Sequence, residues 1–267
     1  MKKICILLLA LLALTTACEI KIKPNEEFVG DINGAVVRRY DRLQSRYLTT
    51  GDFSALQQMN TEYPMETRTL IEDVLQLGEV NDPEINSKFL KFYQDTTLQS
   101  IIADAEAQYA NMGDINKQFA QAFKNLEKLL PGIAIPEVYT QIGALNQSIV
   151  IGNNSIGISL DKYLGANYQP YKKFYNEQQR SMMSREYIVT DALNFYILSL
   201  YPLKQYYNSS QDARDLHMGR VMWLVNKATG KELLKTRYSE KVEAYMKAHP
   251  KAKAIDLLKE NIGPKVD

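Results

Sequence analysis

Over residues 28–130 apolar side chains recur every three to four positions between short polar breaks, the period of successive amphipathic helices. Ile32, Val36, Val37, Tyr40, Leu43 and Tyr47 mark the first, which breaks at Thr49-Thr50-Gly51. Asp52 is placed to cap a second through Tyr63, and Pro64 suits the start of a third, whose stripe of Leu70, Ile71, Val74 and Leu75 ends at Gly78. Asp82-Pro83 opens a fourth with Ile85, Phe89, Phe92 and Tyr93 inward, and Leu98, Ile101, Ile102, Ala105 and Tyr109 mark a fifth. The cleanest stripe is the sixth: Ile115, Phe119, Ala122, Phe123, Leu126, Leu129 and Leu130, with Asp114 as its expected cap and Pro131-Gly132 as its stop. These stripes form core and are assigned no ligand.

At residue 135 the period changes from helical to alternating. Residues 135–142 place Val138, Thr140 and Ile142 on one face and Tyr139 on the other, as a half-buried strand requires. Residues 148–151 and 156–160 then flank Gly152-Asn153-Asn154-Ser155, a tight hairpin turn. After a corner at residues 160–165, residues 184–200 carry Ile188, Ala192, Phe195 and Tyr196 on one helical face. Tyr201-Pro202 breaks that helix, residues 205–211 are a loop, and three further helices follow, the first carrying Trp223 and ending near Thr229-Gly230. The expected class is α+β and predominantly α-helical, a helical bundle around a small antiparallel sheet.

The start of the chain changes the picture from fold to address. Met1-Lys2-Lys3 and the apolar run of residues 4–14 form a secretory leader too short to span a bilayer. Leu14-Thr15-Thr16-Ala17-Cys18 resembles a bacterial lipobox, although Thr15 stands where Leu is preferred. The alternative is an ordinary leader with a chance cysteine. Cleavage before Cys18 removes Cys5 and leaves Cys18 as the single thiol, a lipid-attachment residue with no disulfide partner. The expected organisation is a signal peptide over 1–17, a lipidated polar tether over 18–27, and one globular domain over 28–267. Apolar residues at 45% and charged residues at 24% are those of a globular chain. Without Lys2 and Lys3, 30 basic residues (32 − 2) face 31 acidic ones, a net charge of −1 that draws the protein to no nucleic acid.

Candidate chemistry is sparse. Two histidines, His217 and His249, remain in separate helices, where a surface or helix-end place is the simpler reading, so no metal site is assigned. No Gly-x-Ser-x-Gly elbow occurs, and the Ser209-Ser210 pair stands near His217 only by chance. Glu26-Glu27 and the Asp212 and Asp215 pair read as solvated faces. Residues 227–231 lack the Gly and the Ser or Thr of a phosphate loop. Asp161, after an apolar strand and before a turn, is the most interesting carboxylate: either a partner- or ion-binding corner, or a cap on the Lys162-Tyr163 turn. Of 17 tyrosines, Tyr163, Tyr168, Tyr171 and Tyr175 cluster after the hairpin and are read either as core edge or as a binding surface. Asp161, Tyr163, Tyr168 and Tyr171 are therefore the partner-binding candidates.

Pro136-Glu137-Val138-Tyr139-Thr140, the run Leu160-Asp161-Lys162-Tyr163-Leu164-Gly165, and residues 168–171 resemble the GldB-type gliding-motility lipoproteins of Bacteroidetes. Arg39-Tyr40-Asp41 and residues 90–95 extend the likeness, and residues 241–246 and 255–258 are similar to the end of a related family of zinc-dependent peptidases. The resemblance implies a zincin-like core, a lipid anchor at Cys18, a cell-envelope address on the periplasmic side of the outer membrane, and a link to gliding or secretion machinery. Asp95-Thr96-Thr97 also matches the O-glycosylation signal of exported proteins in that phylum. The peptidase motif His-Glu-x-x-His would fall within residues 189–195, and this chain has Val-Thr-Asp-Ala-Leu-Asn-Phe there, so no catalytic or metal-binding residue carries over. The expected function is a non-catalytic, cofactor-free lipoprotein that binds another envelope protein. The alternatives are a metal-independent hydrolase of peptides or glycans using Asp161 or Asp191, and a small-ligand binder whose tyrosines stack on a sugar or peptide.

Overall fold

The computed structural model describes residues 37–265. The leader, Cys18, the tether with Glu26-Glu27, and the first helix's Ile32 and Val36 lie outside the described residues. Helix α1 (Tyr40–Thr50) is followed by α2 (Phe53–Glu62), which Asp52 caps as expected by accepting from the Ser54 amide. Helix α3 (Pro64–Arg68) opens on its proline and widens into a π-helical turn over Thr69–Val74 that buries Leu70, Ile71 and Val74. Then come α4 (Ile85–Phe92), α5 (Thr96–Gln108) and α6 (Gly113–Leu129). Asp95 caps α5 by accepting from the Thr97 and Leu98 amides, a local reason for the Asp-Thr-Thr sequence. Asp114 does not cap α6: it sits inside the first turn and pairs with Arg185 at 2.5 Å.

The sheet holds β1 (Glu137–Gln141), β2 (Ile149–Gly152) and β3 (Ser155–Ser159) in the order β1-β3-β2. The hairpin β2-β3 is antiparallel as expected, but β1 joins β3 in parallel, so the sheet as a whole is mixed. The seven-residue stretch from β1 to β2 carries the chain to the far edge, and the hairpin brings β3 back between them. Arg38 extends the sheet beyond β1, donating its amide to Val138 O at 2.8 Å and accepting from the Thr140 amide. Strand β1 is not half-buried: Val138, Tyr139, Thr140 and Gln141 are all buried, with β3 beside the strand and helix α1 packed on it.

Helix α1 packs on β1 through polar as well as apolar groups. Asp41, held by Arg39 at 2.8 Å, accepts from the Thr140 hydroxyl, and the Gln44 amide exchanges two 2.8 Å bonds with the Ile142 backbone. The Arg39-Tyr40-Asp41 sequence is thus a helix-to-sheet clasp, with Tyr40 fully buried against Tyr63 and Tyr139.

After β3, short helical turns at Leu160–Lys162 and Gln169–Lys173 and helix α7 (Glu177–Ser181) lead to α8 (Ile188–Leu200), which covers β2 and β3. Its buried face is wider than the sequence stripe, taking in Val189, Leu193 and Ile197, while Phe195 turns outward at 45% exposure. Helices α9 (Gln211–Thr229), α10 (Arg237–Ala248) and α11 (Ala254–Leu258) complete the described chain. Among the described residues no helix is long and apolar enough to cross a membrane.

Gly219 is where α9 and α10 touch. A Cβ there would lie 2.6 Å from Tyr238 Cβ and 2.8 Å from the Tyr238 carbonyl carbon, backbone that cannot step aside alone. Replacing a helical glycine by alanine gains about 1 kcal/mol of helix propensity, and overpacking costs about 1–3 kcal/mol. Gly219→Ala is therefore expected to lower stability by up to about 2 kcal/mol in urea unfolding; a net gain would show that the helices separate freely.

Candidate functional site

The corner after β3 is built around one buried carboxylate. Asp161 is fully buried, and its two oxygens accept from the backbone amides of Gly143 at 2.8 Å and Leu145 at 2.6 Å. It does not cap the Lys162-Tyr163 turn but reaches back to the loop that leaves β1. Ala144 and Leu145 in that loop both adopt left-handed backbone, at φ 51° and 63°, which costs a non-glycine residue about 1–2 kcal/mol each. Two amides converging on one carboxylate compensate. Leu145 is held at its other end as well, its carbonyl accepting from Tyr175 Oη at 2.7 Å and Lys162 Nζ at 3.2 Å.

The tyrosines serve the same corner from inside. Tyr171 donates to the Asp161 carbonyl at 2.5 Å and accepts from the Leu164 amide at 2.9 Å. Tyr109 donates to the Tyr163 carbonyl at 2.6 Å, and Tyr163 donates to Asp191 Oδ2 at 3.0 Å. Asp161, Tyr163 and Tyr171 are buried, so in this conformation no partner reaches them; Tyr168, half-buried and bonded to Asp104 at 2.7 Å, is the member of the four at the surface. Sequence reasoning brought the right residues together but could not see that their hydroxyls satisfy backbone carbonyls.

Asp191 differs from Asp161. Its partner is the Tyr163 phenol, and burial pushes its carboxyl from 3.8 up to about 6, the Tyr163 hydrogen bond pulling back only part of that rise. Burial also raises Asp161, against the two amides that favour its ionised form. Of the histidines, His249 stands exposed at the end of α10, stacked on Tyr245. His217 corrects the surface reading: it is buried in the middle of α9 with Nε2 2.9 Å from the Tyr201 carbonyl. Asp212 pairs with Arg237 and Tyr238, and Asp215 accepts from Gln211, as solvated faces do. The 227–231 stretch is the end of α9 with Gly230 as its left-handed cap. Among the described residues no three His, Cys, Asp or Glu side chains converge as metal ligands. Residues 189–195, where a zinc helix would carry its motif, lie in α8.

Residues 23–252 match a lipoprotein family described as gliding motility protein GldB. The chain belongs to the GldB family. Comparisons with curated proteins and with solved structures return no match. Membership makes it a gliding-motility-related lipoprotein, a class anchored in the cell envelope. The conspicuous Leu160–Gly165 sequence of this GldB-family chain is its buried corner.

Sequence reasoning missed what stands outside that corner. Phe174 is 63% exposed, between exposed Lys172 and Lys173 and half-buried Tyr175, and Met182 on the same stretch is 47% exposed. The Phe174 ring meets Tyr175, which meets Tyr171, at centroid distances of 6.5 and 5.9 Å. The signal was available as Lys-Lys-Phe, two charges and an aromatic inside a tyrosine-rich segment.

Two measurements check this account. Asp161→Asn keeps the shape but offers one acceptor to two amides; an unsatisfied donor costs about 1–3 kcal/mol, so unfolding is expected to be easier by about 1–3 kcal/mol. For Asp191 the folded-state pKa lies above the unfolded one, so its contribution is most favourable below pH 3.8 and is lost as pH rises toward about 6. That loss is at most about 3 kcal/mol, from two pH units at about 1.4 kcal/mol each. Asp191→Asn still accepts from Tyr163 and does not ionise; chemical denaturation should find it as stable as the parent near pH 4 and more stable by about 1–3 kcal/mol at pH 7.5.

Proposed function

We propose that this GldB-family protein is a non-catalytic lipoprotein, anchored through Cys18 on the periplasmic side of the outer membrane, that docks another envelope protein of gliding or secretion machinery. The core is read as a peptidase-like scaffold without a metal motif. The observation that carries the docking reading is the prominence at Lys172-Lys173-Phe174. An exposed aromatic ring flanked by cations, mounted on hydrogen-bonded tyrosines, is ordered before it binds and loses little entropy on docking. The partner it suits presents an apolar pocket with an acidic rim. Asp161 supports the non-catalytic side, since both of its oxygens are committed to backbone amides.

A second reading is a metal-independent hydrolase, and Asp191 is what favours it. A carboxyl held near 6 is suited to general acid work at neutral pH. The two readings separate on one preparation. Cross-linking from membranes with the intact lipoprotein, beside Cys18→Ser, should recover a defined envelope protein. Phe174→Ala combined with Lys172→Glu is expected to cut that recovery roughly tenfold or more, the size of a hot-spot loss, with unchanged thermal unfolding. Asp191→Asn should leave it intact. Recovery indifferent to Phe174 and Lys172 would count against docking at this surface, and a cellular defect in folded Asp191→Asn would favour the hydrolase.

A further inference from the structure

Helices α6 and α9 run antiparallel: Asn125 of α6 donates to the Ala228 carbonyl near the end of α9 at 2.9 Å, and Lys231, just past that end, reaches back along α6 to Gln118 at 2.5 Å. Helix α10 runs beside α9 and in the same direction, from the Asp212–Arg237 pair to the Lys227–Glu243 pair. The first turn of α6 and the last turns of α9 and α10 therefore share one end of this layer. The described chain enters at that end, where the Val37 amide donates to Asn116 Oδ1 at 3.2 Å. Eighteen residues (36 − 18) stand between Cys18 and Val37.

The same end is basic. Lys247, His249, Lys251 and Lys253 are exposed on residues 247–253, with no carboxylate among them. Lys247 is spent on Glu243 at 3.2 Å, and the charge of Lys231 is matched by Glu232. Lys251 and Lys253 lie past α10, and among the described residues their side chains have no hydrogen bond or ion pair. They line a groove of about 590 Å³ in which Asp256 is the one carboxylate. Its apolar lining includes Tyr245, Ala252 and Ile262, and His249 stacks on Tyr245 with ring centroids 4.1 Å apart.

Two unpaired ammonium groups beside an apolar groove suit an anionic amphiphile. An acidic peptide would use the charge and leave the groove, whereas an anionic phospholipid uses both, its phosphate meeting the lysines and its carbons the apolar lining. A bilayer is also what a lipoprotein keeps within reach of its tether, and the tether enters the described chain at this end. We propose that the end formed by the last turns of α9 and α10 lies against an anionic phospholipid surface and so orients the anchored protein. The proposal rests on the anchoring read at Cys18 and not on docking at Phe174, with which it shares no residue.

The lipoprotein would be reconstituted into vesicles of phosphatidylethanolamine with phosphatidylglycerol, and into vesicles of phosphatidylcholine alone, each carrying a nitroxide quencher at the headgroup. A dye is attached at Ala248→Cys on this end, or at Asn208→Cys in the loop before α9 at the other; both positions are exposed. In the anionic vesicles quenching at 248 is expected to exceed that at 208 roughly twofold or more. It should fall to the 208 level in phosphatidylcholine, in high salt, and in Lys251→Glu combined with Lys253→Glu, since each ammonium near an anionic surface is worth about fivefold in affinity. Both lysines are exposed, and an unchanged thermal midpoint shows that the double variant keeps the fold. Equal quenching at the two positions in anionic vesicles overturns the proposal, as does quenching at 248 that ignores lipid charge or the two lysines. Cross-linking of these lysines to an acidic protein, without quenching at 248, overturns the occupant. Flotation reports anchoring separately. A chain that fails to float overturns the Cys18 reading instead; binding to added anionic vesicles that the double variant loses then still supports this surface, and no binding overturns it.

Discussion

Asp161 ties together three parts of the chain that no apolar contact would hold in register. Its carboxylate closes the loop leaving β1 onto the end of β3, its own carbonyl receives Tyr171, and its neighbour Lys162 reaches the far side of the same loop. A buried charge without partners would be lost to protonation or to unfolding. Here the charge has two amides, presented by a loop with left-handed backbone at Ala144 and Leu145. Carboxylate and strained loop each make the other tolerable. The mixed sheet depends on this, because the closed loop is the one that carries the chain from β1 across to β2.

The tyrosines extend that logic. A helix satisfies its own carbonyls and a ladder satisfies its neighbour's, but a corner such as residues 160–164 does neither. Tyr109 and Tyr171 supply the missing donors from rings that also fill the core, and Tyr93 does the same for Ile142 at 2.6 Å. Phenylalanine at 171 would fill the volume and leave the Asp161 carbonyl unmet, at about 1–3 kcal/mol, whereas the Tyr163 and Ile142 carbonyls also receive Gln108 and Gln44. The abundance of tyrosine is accounted for in part by irregular backbone in the interior, a demand as strong as that of a binding surface.

Legibility followed the range of the interaction. Asp52, Pro64, the hairpin at Asn153-Asn154 and the α6 stripe are local, and their sequence signals match what forms. Asp114, the parallel pairing of β1 and the full burial of residues 138–141 are set by distant partners: Arg185, β3 and helix α1. A carboxylate near a helix start reads as a cap whether or not an arginine 71 residues away claims it. Asp161 was legible as unusual and illegible in role, since the amides it binds lie 16 and 18 residues earlier in a loop with no motif of its own.

The two interior aspartates then weigh against each other for function. Asp161 is saturated by hydrogen bonds and structural, whereas Asp191 stands at the start of α8 with a single phenol and a raised pKa, at some expense in stability near neutral pH. A group that destabilises the fold invites a catalytic explanation. It has a structural one too: Asp191 receives the hydroxyl of Tyr163, a ring 1% exposed in the core, and without an acceptor that hydroxyl would be buried unpaired. The carboxylate gives that hydroxyl an acceptor, worth about 1–3 kcal/mol, and its ionisation at neutral pH costs about as much, so the pairing is close to neutral for stability. What the interior does not explain is Phe174, a large apolar ring exposed to water beside Tyr175, and it is this ring that the docking proposal rests on.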